Sequence, residues 1–133
     1  MEIVHREITI IDVRFTDIDS QNHVNHCSIV NWIAHCRVRM IDDIVAESDI
    51  NDIDHVLVHA SFNFAREIIY PASVIIKGYI TEVGNKSVTT RYLAHVGDTL
   101  VADAECVNVF FWAMSKDTVV IPDGLRKLLE GEE

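Results

Sequence analysis

Between residues 16 and 27 the chain reads Thr16-Asp17-Ile18-Asp19-Ser20-Gln21-Asn22-His23-Val24-Asn25-His26-Cys27. Two carboxylates, two imidazoles, two carboxamides beside a glutamine, and a thiol fall within twelve positions. A carboxylate can attack an acyl carbon, or it can deprotonate the water that does so. Either route needs donors for the charge that develops on the carbonyl oxygen. The first backbone N–H groups of a helix are such donors, and they carry the positive end of the helix dipole. Residues from 28 onward have helical spacing. The loop therefore lies where a carboxylate and a helix N-terminus can share one pocket, which is sufficient for acyl transfer to water.

Each of these residues also has a plainer reading. Asp19 can close a turn or cap the helix. Asp17 suits an Asx-turn, or an ion pair with Arg14. His23 can bond the loop backbone or orient a substrate, and Asn25 can hold the N–H groups at the helix start. His23 and His26 with Asp17 and Asp19 hint at a metal, but they lack strict ligand spacing. A calcium loop would need a Gly at its sixth position and a Glu at its twelfth. No metal is expected.

The elements that must position this loop follow from periodicity. Ile11, Val13 and Phe15 alternate with Asp12 and Arg14, which predicts a strand over residues 8 to 15. Ile8 and Ile10 sit on the other parity, so a bulge is expected near Ile10 and Ile11. Residues 28 to 46 read as the one long helix, with Val30, Ile33, Ala34, Arg37, Val38, Ile41 and Val45 at intervals of three and four, and Met40 and Ile44 widening the stripe. Ser28 or Asn25 is the expected cap.

Strands are predicted over residues 55–64, 73–83, 87–96 and 99–114. In the first, Val56, Val58, Ala60, Phe62 and Phe64 share one face. His55 and His59 lie on the other, as surface or interface residues. Gly84-Asn85-Lys86 and Gly97-Asp98 are the turns. Pro122 is expected at the first position of a short closing helix bearing Leu125, Leu128 and Leu129. A helix of about 18 residues spans ~27 Å, and a strand of about 9 spans ~30 Å. One helix with four or five matching antiparallel strands predicts an α+β fold in which a sheet wraps a single helix. The last strand is apolar on both faces, with Val107, Val109 and Phe111 on one side and Cys106, Phe110, Trp112 and Met114 on the other. A second subunit is the simplest cover.

Composition narrows the class. The chain has 133 residues, 49% hydrophobic and 24% charged, which suits one globular domain over 1–133. A net charge of −10 argues against nucleic acid, whose phosphates need clustered Lys and Arg. The start, Met1-Glu2-Ile3-Val4-His5-Arg6-Glu7, is charged where a signal peptide is apolar. No run approaches the ~20 apolar residues of a membrane helix. Cys27, Cys36 and Cys106 are odd in number without a CxxC pair, so a disulfide framework is not expected. A cytoplasmic protein is the expectation.

The run Asp17-x-Asp19 followed by His23-Val24-Asn25, then a helix reaching Cys36-Arg37, resembles the hot-dog-fold acyl-CoA thioesterases of the 4-hydroxybenzoyl-CoA thioesterase type. Gly84-Asn85-Lys86-Ser87-Val88 is similar to that family's G-x-x-S hairpin, and Ile121-Pro122-Asp123-Gly124-Leu125 to its closing segment. The resemblance covers nearly the whole chain. It implies a hot-dog fold, an antiparallel sheet of about five strands wrapped around one long central helix. It implies a homodimer or homotetramer with sites at the subunit interface, no cofactor, and hydrolysis of an acyl-CoA to free acid and CoA. The family's catalytic carboxylate, the second Asp of its pair, falls at Asp19. The N–H that polarises the thioester falls at His26, with His23 and Asn25 supporting the loop.

The chain departs from the pattern at Asn22, where the family often has Gly, and at Ala34 and His35, where it often has Glu-Glu. For CoA phosphates on so acidic a protein, a local basic spot is needed. Arg66, Lys77, Lys86 or Arg91 could supply it, with Lys86 and Ser87 at the hairpin the candidates, and Ser61 and Asn63 closing the pocket from the second subunit. Two other functions compete. A hot-dog hydratase or dehydratase uses D-x-N-P-x-H, and Asp19 and His23 are one residue closer than that. A non-catalytic acyl-CoA-binding hot-dog protein would tolerate Asn22 and the missing Glu-Glu.

Overall fold

The computed structural model describes residues 5–131. The first four residues of the charged start lie outside that range. The order is β1 (Glu7–Asp12), a short 3-10 turn (Phe15–Asp17), α1 (His26–Glu47), β2 (Ile53–Phe64), β3 (Ser73–Val83), β4 (Ser87–Val96), β5 (Thr99–Trp112) and α2 (Asp123–Leu129). The five strands form one antiparallel sheet in the order β1-β3-β4-β5-β2. α1 lies in the hollow of this sheet, which is the hot-dog arrangement.

The core lies between α1 and the inner face of the sheet. Ile29, Trp32, Ile33, Cys36, Met40, Ile41 and Ile44 form the buried stripe of α1. They meet Val74, Ile76, Tyr92, Ala104, Cys106 and Phe110. Gly78 lets the helix approach closely, since a Cβ there would stand 3.1 Å from Met40 Sδ and 3.3 Å from Cys36 Sγ. The buried stripe is rotated from the expected one. Val38 is exposed, and Val30, Ala34 and Val45 are only half-buried. α1 thus carries a second apolar flank that its own chain does not cover.

Five sequence expectations are corrected. β1 pairs with β3 without any bulge at Ile10 or Ile11. Thr9 is the buried residue, and Ile8 and Ile10 face outward. The chain leaves the sheet after Asp12, because Arg14 to Asp17 close a 3-10 turn instead. Bulges occur in β2, β3 and β5. The β2 bulge between Leu57 and His59 swaps the inward parity, so Ile53 and His55 point inward before it and Ala60 and Phe62 after it. His55 is therefore a buried residue rather than a surface one. Its ring sits edge-on to Phe110, and its side chain is 7% exposed. Pro122 is the N-cap of α2, one residue before the helix proper. β5 ends at Trp112, and Met114 is exposed in the turn beyond it.

Candidate active site

The loop between β1 and α1 is held by Asp17. This carboxylate is buried and accepts the Arg14 N–H at 2.8 Å, the Arg14 guanidinium at 3.3 Å and the Ser28 hydroxyl at 3.2 Å. The Asp17 carbonyl accepts the Asn25 N–H at 2.8 Å. The first Asp of the pair thus ties the end of β1 to the start of α1. Burial works against its ionisation, but the Arg14 N–H, the Arg14 side chain and the Ser28 hydroxyl outweigh that and hold the carboxyl below the usual range.

Asp19 differs in its setting. It is exposed, and its Oδ1 accepts the N–H groups of Gln21 at 2.9 Å and His23 at 3.0 Å. These bonds, the His23 N–H first, keep its pKa below the ordinary value, so it is an anion at neutral pH. The Asp19 N–H meets the His23 carbonyl at 2.9 Å, closing a small hairpin in which Ile18 bridges Val24. The far side of the hairpin is laid onto a second segment. Val24 donates to the Ile68 carbonyl, and His23 bridges Ile69.

Asn22 shows why the missing Gly is tolerated. Its φ is 65°, in the left-handed region that Gly occupies readily and Asn accepts better than other residues. Its amide also donates to the Tyr70 carbonyl at 2.8 Å. The turn geometry is met without glycine.

α1 begins at His26, with Asn25 as N-cap. The Asn25 side chain accepts the Cys27 N–H at 2.8 Å, and its carbonyl takes the Ser28 N–H at 3.0 Å. The His26 N–H has no partner among the described residues. It is thus the free donor of the first turn. Beside it lies a cleft of about 260 Å³ lined by Val24, His26, Ile29, Phe64, Ala65, Arg66, Glu67 and Ile68. The His26 ring stands edge-on to Phe64, with centroids 5.8 Å apart. Phe64 in turn stacks on Phe62.

The expected site residues divide into three places. His26 and Arg66 line the cleft, and His23 and Asn25 belong to the loop that forms its edge. Asp19 sits on the exposed side of that loop and is not among the lining residues. Ser61 and Asn63 are on the outer face of the sheet, where the Asn63 amide bonds Asp103 at 3.0 Å. Lys86 and Ser87 are at the other end of the sheet. Ser87 pairs with Val109, which pairs with Val56, whereas Phe64 pairs with Ala102. Seven residues of β5 separate those registers, or roughly 24 Å. The Lys86 ammonium there meets Thr118.

Glu67 escaped sequence reasoning. It lines the cleft, and its Oε2 lies 3.3 Å from His23 Nε2. No spacing in the sequence links positions 44 apart, and only the pairing of the loop with residues 68–70 brings them together. Of Trp32, Phe62, Phe64, Phe110 and Trp112, only Trp32 and Phe110 are buried core, and Phe64 is exposed at the cleft. Among the described residues no three His, Cys, Asp or Glu side chains converge as metal ligands do.

Residues 13–129 match the family model described as the thioesterase-like superfamily. The chain belongs to this superfamily. No curated protein matches it in sequence. Solved structures do. A protein from Bacillus stearothermophilus, described as a predicted thioesterase, superposes with a TM-score of 0.84 at 21% identity, over 95% of each chain. A Staphylococcus aureus protein solved in complex with CoA gives 0.85 at 12% identity, over 98% of this chain and 85% of that one. A 1,4-dihydroxy-2-naphthoyl-CoA thioesterase from Synechocystis gives 0.73 at 14% identity, over 92% and 94%. At such identities the likeness is one of fold. The superfamily member described here shares the hot-dog architecture with all three.

Proposed function

We propose that this chain is an acyl-CoA thioesterase, splitting the thioester with water into a free acid and CoA. The observation that carries this reading is the unpartnered His26 N–H at the head of α1, opening beside the cleft. In this reading it takes the charge on the thioester oxygen. Asp19, ionised and seven residues earlier, attacks the acyl carbon or deprotonates water. His23 and Asn25 keep the loop and helix start in place. Arg66 at the cleft meets a CoA phosphate. The CoA-bound neighbour and the superfamily match support the choice of ligand. No cofactor enters the scheme.

The working unit in this reading is at least a homodimer. β2 is a twelve-residue edge strand with Val56, Leu57, Val58 and Phe64 exposed, the kind of edge that seeks a partner. Two copies of β2 related by a two-fold axis pair antiparallel. Full overlap sets Ile53 against Phe64 of the second copy and His55 against Phe62. Residues that face each other across antiparallel strands share a side of the sheet. The bulge at Leu57 to His59 makes that match work, because inward parity is odd before it and even after it. The uncovered flank of α1 at Val30, Ala34 and Val38 then meets its own copy. The same symmetry brings the Lys86-Ser87 end of one sheet toward the Arg66 end of the other, so one CoA site draws on both subunits. A cytoplasmic setting suits the three free cysteines.

The test is CoA release from a panel of short, long and aromatic acyl-CoA thioesters, with wild type beside Asp19→Asn. Hydrolysis of at least one member, reduced at least ~100-fold in the variant, is the expected outcome. Binding of acyl-CoA by folded wild type without release from any member would instead favour a non-catalytic binder.

A further inference from the structure

Glu67 is the only carboxylate among the residues lining the cleft. Its Oε2 is 3.3 Å from His23 Nε2, and the His23 backbone is fixed from two sides. Its N–H is bonded to the Asp19 carboxylate at 3.0 Å, and the residue bridges Ile69. Glu67 itself is 69% exposed in its side chain, so water reaches it. Its chain neighbours Ala65 and Arg66 are anchored by N–H bonds to the Val101 carbonyl at 2.9 and 3.2 Å. The cleft therefore presents a carboxylate on a held backbone, steadied by an imidazole, beside the free N–H of His26.

We infer that Glu67, positioned by His23, is the general base that delivers water in this site. The inference rests on the thioesterase reading and divides the labour within it. An Asp19 oxygen attacks the acyl carbon, the carbonyl electrons move to the oxygen at the His26 N–H, and the C–S bond breaks to release CoA thiolate. The acyl group is then an anhydride on Asp19. Water adds to its acyl carbon while Glu67 takes the water's proton. The C–O bond to Asp19 breaks and returns the carboxylate, and the Glu67 proton passes to the thiolate or to solvent. Both N–H bonds to Asp19 fall on Oδ1, and its Oδ2 has no hydrogen-bond partner among the described residues, which leaves that oxygen to attack, whereas Glu67 lines the cleft and is open to water. His23 is a positioning residue in this scheme.

The experiment is quenched-flow CoA release, read by chromatography, for wild type, Glu67→Gln and Glu67→Asp. Glu67→Gln should release one equivalent of CoA per site at close to the wild-type rate and then turn over ~100-fold more slowly, a loss within the range of general-base removal. Glu67→Asp should recover part of the steady-state rate. Intact-mass measurement of quenched Glu67→Gln should show the acyl adduct. An unchanged steady-state rate in Glu67→Gln overturns the assignment. So does loss of the first equivalent together with turnover, which marks a merely structural role. Wild type that releases no CoA from any thioester overturns the hydrolase reading itself, and this role with it.

Discussion

Two histidine–carboxylate pairs flank α1, one toward each end, and they differ in what they leave free. At the C-terminal end, His55 Nε2 meets Asp42 Oδ1 at 2.7 Å, and His55 Nδ1 meets the Asn108 amide nitrogen at 2.9 Å. With that amide as donor, Nδ1 accepts and the Nε2 proton goes to Asp42. Both ring nitrogens are used and the ring is buried against Phe110. At the N-terminal end, His23 engages Glu67 on the edge of a cleft, with the ring 30% exposed and the carboxylate open to water. The closer and better-made pair is thus the one with nothing left to offer a substrate. An imidazole beside a carboxylate becomes chemistry only where a cleft and an unpartnered donor accompany it.

The comparison can be broken from either side. The largest stability effect is expected at the closed pair. His55→Ala removes the ring from Phe110 and strands the Asn108 amide, which is 1% exposed and whose Oδ1 already lacks a partner among the described residues. A loss of about 2–3 kcal/mol should appear as a lower urea midpoint, with kcat per folded protein within twofold of wild type. A large fall in kcat instead would make His55 part of the site.

A smaller effect is expected from Asp17→Asn, which keeps the shape but weakens the ties to Arg14 and Ser28. About 1–2 kcal/mol should be lost at pH 7. The sign of its pH dependence follows from the lowered folded-state pKa. Ionised Asp17 favours the folded chain above its unfolded value of about 3.8, and that contribution fades as pH falls through the still lower folded value. The gap between wild type and variant in denaturant titrations should therefore be full at neutral pH and close below about pH 4. A gap that widened in acid would contradict the assignment.

The smallest effect is expected at Asn22→Gly, because glycine takes the same positive φ while giving up one exposed bond to Tyr70. Stability should change by no more than about 0.5 kcal/mol, and turnover should hold. A collapse of activity would show that the Asn22 amide, and not the turn alone, orders the loop that carries Asp19 and His23.

Much of this molecule was legible in its residues. The runs 73–83 and 87–96 coincide with β3 and β4, since Gly84-Asn85-Lys86 marks the hairpin, β4 alternates along its length and β3 alternates as far as its bulge. The long helix and the strand content followed from local periodicity, and the structure chose Asn25 over Ser28 as the cap. The D-x-D and H-V-N run located the loop that leads into the helix. Those features are set by neighbours within a few residues, where side-chain period and capping chemistry act directly.

Other features depended on contacts far apart in the chain. The inward turn of His55 came from a bulge that no local pattern announced. The ties of Asp17 to Arg14 and of Asp19 to Gln21 and His23 are local, but the burial of the first carboxylate under the Ser28 hydroxyl and the exposure of the second came only with the fold. The meeting of His23 with Glu67 required the loop to lie along residues 68–70. Local spacing determines which elements form and which side chains are available to them. Burial, face parity and the partners of each charge are properties of the folded arrangement, because they arise only when distant segments exclude water together.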